Sequence, residues 1–165
     1  MKKIVYLLVL AVVLVYGIGR VKLGEAGAMR FLTNMESLMS EGKAEEVCDM
    51  FHEDLEVEIS DSSGESTHEV SGGKQEMCDL TRETVAGLTM LPHNMNVNYT
   101  EVNAKQDWSH PWTGEISYLE NRSLTILGAN VTLRTVSDDQ ITLVHTFSGV
   151  KIRKIKSEVY KADAT

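Results

Sequence analysis

SEGKAEEVCDMFHEDLEVEISDSSGESTHEV, residues Ser40 to Val70, is the stretch that decides the fold. Ala44, Val47, Cys48 and Phe51 fall on one face of a short helix, and His52-Glu53-Asp54 reads as a chain reversal. Beyond it Leu55, Val57 and Ile59 alternate with Glu56 and Glu58, the pattern of a strand with one buried face. Asp61-Ser62-Ser63-Gly64 has the residue types of a tight turn, so Glu65–Val70 is expected to return as the second strand of a hairpin. None of this specifies a substrate, and no complete catalytic motif stands elsewhere in the chain.

Upstream, Ala28, Phe31, Leu32, Met35, Leu38 and Met39 recur at intervals of three and four, an amphipathic helix that Gly42 closes at its C′ position. Downstream, Ser71-Gly72-Gly73-Lys74 breaks the chain before a third helix over Gln75–Leu88. Its inner face is Met77, Cys78, Thr81, Val85 and Leu88, and Pro92 ends the segment. The second half is strand after strand. Met95, Val97 and Tyr99 share a face until the phase slips and Val102 and Ala104 carry the apolar side, as a β-bulge produces. An aromatic loop with Trp108, His110, Pro111 and Trp112 leads to strands over Ile116–Ile126, Val131–Val136, Ile141–Phe147 and Val150–Val159. Turns are expected at Gly128-Ala129-Asn130 and at Asp138-Asp139-Gln140, with a second phase shift at Ser148-Gly149.

The 165 residues suffice for one domain with a proper core. Net charge is -8, and residues 1–22 hold four basic groups and no acidic one, which leaves the remainder at -12. Such a domain repels phosphate backbones, so nucleic acid is not an expected partner. Lys151, Arg153, Lys154 and Lys156 form the one basic run, and alternation with Ile152 and Ile155 makes it the solvated side of a strand. Met1-Lys2-Lys3 precedes a charge-free run from Ile4 to Gly19, about 24 Å long as a helix and a little short of a bilayer core. The run is an expected anchor through residues 4–19 or a cleaved signal, with candidate cleavage sites at Gly17-Ile18-Gly19 and Ala26-Gly27-Ala28. The division is then 1–22 anchor or signal, 23–160 domain and 161–165 tail. The expected location is the bacterial inner membrane with the domain in the periplasm, or the periplasm or exterior after cleavage. An oxidising compartment leaves two readings of Cys48 and Cys78, a disulfide or two buried thiols. Neither has metal-ligand spacing, so no metal or cofactor is expected.

In order and length, residues 26–157 resemble the NTF2-like superfamily, which includes SnoaL-like and ketosteroid-isomerase-like proteins. The matching residues are Ala44–Val57, where a short helix ends in Phe51-His52-Glu53-Asp54 and runs into a strand, and the Gly72-Gly73-Lys74 lead into the third helix. The resemblance implies an α+β cone: three helices on a curved, mostly antiparallel six-stranded sheet, often with a pocket inside. In the isomerase branch the catalytic Asp sits on the first strand, five residues after the position of Asp54. Ile59 stands there, and an apolar side chain shuttles no proton. Glu58 points to the other face, and the first helix lacks the Tyr that serves that branch as an oxyanion donor.

Candidate pocket residues are therefore drawn from the later strands. Ile141, Leu143, His145 and Phe147 share a face, as does Tyr99 with Met95 and Val97, and Trp108 and Trp112 are placed to lid a pocket mouth. An inward His titrates near neutral pH and is the candidate base, against the plain reading of a core histidine. The missing acid favours a tethered, non-enzymatic module that engages an envelope protein or a second copy through its sheet face. The alternative is a pocket for a small apolar ligand, weakly catalytic through His145.

Overall fold

The structure is a computed structural model that describes residues 7–10, 13, 23–64, 66–90, 92–106, 109–110, 112–128 and 131–162. Helix α1 (Glu25–Ser40) buries Ala28 and Leu32, with Phe31, Met35, Leu38 and Met39 packed beside them. It ends as expected: Gly42 has φ +80°, and the amides of Gly42 and Lys43 donate back to the carbonyls of Met39 and Leu38. Helix α2 (Ala44–Cys48) buries Val47 and Cys48. Strand β1 (Phe51–Asp61) starts directly after it, so His52-Glu53-Asp54 is strand and not a reversal. A register irregularity between Phe51 and Glu56 takes up the change of direction instead.

β1 turns through Asp61, whose carboxylate accepts from the Ser63 amide at 2.8 Å, into β2 (His68–Gly72). Helix α3 (Lys74–Met90) opens on half a capping box, with the Gly73 amide donating to Glu76 Oε2 at 2.9 Å. β3 (His93–Gln106), β4 (Thr113–Ile126), β5 (Val131–Thr146) and β6 (Gly149–Lys161) complete a sheet of order β2-β1-β6-β5-β4-β3. Each neighbouring pair is antiparallel except β1 with β6. The bulge in β3 lies where the phase slips, between Thr100 and Asn103, with Glu101 at φ +54°. Asp138-Asp139-Gln140 is no turn: β5 runs through it unbroken, paired on both sides.

The helices lie against one face of this sheet. Leu32, Val47, Phe51, Ile116, Leu143 and Ile152 are almost fully buried between the two layers. Leu23, also buried, sits on Gly114, where an added Cβ would come within 3.0 Å of Leu23 Cβ. The glycine is thus a seat for the residue that leads into α1.

The expected anchor lies mostly outside the described residues. Residues 7–10 and 13 are helical, with apolar side chains more than half exposed. Among the described residues, no helix is long and apolar enough to cross a membrane.

Candidate functional site

A cavity of about 260 Å³ opens between α1, α3 and the sheet. Met35 and Met39 of α1 and Met77 and Leu80 of α3 form its apolar roof, and Phe51, Ile152 and Ile155 line the wall. The floor is polar. β4 contributes Tyr118, Glu120 and Arg122 at alternate positions, β5 contributes Ser137 and Asp139, and β6 contributes Ser157. Strand alternation sends i, i+2 and i+4 to one face, so three neighbouring strands bring these groups together.

Cross-strand register arranges them in two rows. Tyr99, Glu120, Ser137 and Val159 are successive partners in one, and Tyr118, Asp139, Ser157 and Ile59 in the other. The second row holds one carboxyl, that of Asp139. Ile59 stands where the isomerase-type carboxylate was sought, and Asp139 occupies the same row two strands away, about 10 Å across the sheet.

Glu120 and Asp139 are 9% and 7% exposed, burial that an unpaired carboxylate does not sustain. Arg122 Nη2 meets Glu120 Oε1 at 2.7 Å, while Arg122 Nε is buried with no hydrogen-bond partner among the described residues. Ser137 Oγ donates to Asp139 Oδ2 at 2.7 Å, and Ser157 faces the same carboxyl as its cross-strand partner. Burial raises both carboxyls above the ordinary carboxylate range. Arg122 pulls Glu120 back, and the two serine hydroxyls pull Asp139 back. Tyr118, 6% exposed, stacks edge-to-face on Tyr99 with ring centroids 5.5 Å apart, and burial raises both phenols. Chemically, this floor is a set of proton donors and acceptors facing an apolar chamber.

The residues favoured by sequence lie elsewhere. Leu143 is solid core. Phe147 is fully exposed at the β5–β6 turn and does not share the inner face, because the strand has ended. His145 packs on the half-exposed Trp112 at 6.0 Å, its amide donating to the Trp112 carbonyl and its buried Nε2 unpartnered. Neither lines the cavity, and Tyr99 reaches the site only through Tyr118 and Glu120. Trp108 lies outside the described residues. Cys48 and Cys78 lie together at the α2–α3 contact, both buried and unbridged in this structure. Burial, then a hydrogen bond with Cys78, pushes the Cys48 thiol up to about 12.

No protein-family model matches the sequence, and no curated protein does. Solved structures do. A candidate scytalone dehydratase from Novosphingobium aromaticivorans superposes with a TM-score of 0.60 at 12% identity, over 91% of this chain and 89% of that one. An NTF2-like protein with a cystatin-like fold from the same organism gives 0.52 at 16% identity, over 85% and 89%. A ketosteroid isomerase-like protein from Erwinia carotovora atroseptica gives 0.53 at 13% identity, over 87% and 98%. Identities this low carry the fold and no more. The chain has the NTF2-like, cystatin-like α+β fold, with buried carboxyls on β4 and β5.

Proposed function

We propose that the cone is a binding pocket for a small molecule with an apolar body and one polar end, the polar end meeting Tyr118, Glu120 and Asp139. The observation that carries this reading is the cavity itself, with two buried carboxyls on its floor. Buried, imperfectly compensated carboxyls cost stability, and sites of function are where such costs persist. The dehydratase-like and isomerase-like fold neighbours add support by analogy. The competing reading, a non-enzymatic docking module, has no use for an acid-lined chamber. A tether through residues 4–19, holding the domain at a membrane, is compatible with either role.

A neutral probe, 4-phenylbutanol, tests the pocket in the full-length protein. Amide resonances of Tyr118–Arg122 and Ser137–Ile141 are expected to shift on titration. Ser157→Leu, which fills the chamber from β6, is expected to abolish the shifts. Shifts confined to the outer face of the sheet, or unchanged in Ser157→Leu, would refute the pocket.

A further inference from the structure

Asp139 is held as an acceptor. The Ser137 hydroxyl donates to its carboxyl at 2.7 Å, and Ser157 is its cross-strand partner on β6, an arrangement that suits the ionised form. Yet among the described residues no lysine or arginine pairs with it. Arg122 is engaged by Glu120 at 2.7 Å. Lys154 and Lys156 of β6 pair with Glu56, Glu58 and Glu158 instead. The other titratable neighbours are acidic or neutral: Glu36 from α1, Tyr99 from β3, Tyr118 and Glu120 from β4, and Asp138 beside it on β5. From α3 the cavity receives the uncharged Thr81 and Thr84. Tyr118 lines the same cavity at 6% exposure.

We propose that the ligand of the cone carries a protonated amine, seated between Asp139 and Tyr118, with its apolar body against Met35, Met39, Met77 and Leu80. This rests on the pocket reading above and assigns the chemistry of the polar end. Arg122 acts on Asp139 from a distance but is paired with Glu120, so an ammonium group supplies the direct counter-charge, and its N–H donors match the carboxylate and the phenol oxygen. The edge-to-face pair of Tyr118 and Tyr99 adds aromatic surface of the kind that attracts cations. Methionine side chains adapt to an irregular apolar body. An anionic ligand would face an excess of carboxyls. A neutral one would leave an ionised Asp139 without a direct counter-charge.

Titration calorimetry on the full-length protein separates these cases with 4-phenylbutylamine, 4-phenylbutanol and 4-phenylbutyrate, which share a body and differ in charge. The amine is expected to bind at least about tenfold tighter than the alcohol, the increment of a charge-assisted hydrogen bond. The carboxylate is expected not to bind. Amine binding favours the ionised carboxyl, so it should release protons and tighten as pH rises through the range in which Asp139 ionises. In D139N, shown folded by thermal unfolding, the amine should fall to within about twofold of the alcohol. Alcohol binding as tight as the amine in the wild type overturns the amine assignment and leaves the pocket standing. A preference for the amine that survives D139N overturns the role of Asp139. Binding of neither compound overturns both readings.

Discussion

Thr135, Ser137 and Asp139 occupy alternate positions of β5 on the face that Ile141 and Leu143 continue as core. A polar run read as a turn is what hid these groups. Read for periodicity, Asp138-Asp139-Gln140 is a turn, because Asp is depleted in strands and favoured in turns. Tertiary pairing with β4 and β6 overrides that preference. Unliganded, the protein bears the cost. Both carboxyls have folded-state values raised by burial, so the folded state holds protons that the unfolded chain has released. The stabilising contribution is therefore complete below the ordinary carboxyl range and is lost as pH rises through the folded values. Asp139→Asn keeps the shape and the Ser137 contact while removing the charge. We expect it to raise Tm by about 2–4 °C near neutral pH, roughly 1 kcal/mol, with the gain shrinking towards about pH 4. Glu120→Gln should gain less, since it leaves Arg122 unpaired. Thermal unfolding across that range is the check. A lower Tm for Asp139→Asn near neutral pH would make Asp139 a satisfied structural anchor.

At the scale of elements, the sequence was legible wherever apolar periodicity is uninterrupted. The α1 stripe, the Gly42 stop and the β3 bulge stand where the pattern puts them, and the β1–β2 hairpin forms with its second strand at His68–Gly72 instead of Glu65–Val70. It misled at Phe51–Asp54, where polar residues at the edge of β1 look like a loop, and at Phe147, where alternation was carried past the end of the strand. The α2–α3 contact was read as a possible disulfide from its two cysteines alone. What the elements supply there is a clamp of charge. Arg82 of α3 grips Glu45 of α2 through two hydrogen bonds of 2.7 and 3.0 Å, beside the two thiols. A thiol raised to about 12 has almost no thiolate at neutral pH, and the thiolate is the species that exchanges or oxidises. Cys48 and Cys78 are expected to resist alkylation in the native protein and to titrate as two free thiols after denaturation without reductant. Recovery of fewer than two would show that the pair had been joined.

For the whole molecule, the open question is how the apolar N-terminus relates to the cone. Leu23 is 1% exposed against Gly114, and Ala28 is fully buried in the first turns of α1. Cleavage after Ala26-Gly27-Ala28 would remove both from the core, at a cost of several kcal/mol for two buried apolar groups and the void they leave. That site is therefore closed to processing of the folded domain. The other, Gly17-Ile18-Gly19, is followed at once by Arg20. Arg20 and Lys22 flank the apolar run, and long basic side chains extend a short span by reaching the interface. We therefore expect the mature chain to keep Met1–Gly19 and to sediment with membranes, resisting a high-salt wash because the attachment is apolar and not electrostatic. Intact mass of the purified protein decides between the alternatives. A chain starting at Arg20 would refute the tether but leave the Leu23 seat and the cone untouched. One starting at Met29 would refute the packing of Leu23 and Ala28 as well, since a domain stable without them would not need Gly114 to make room for Leu23.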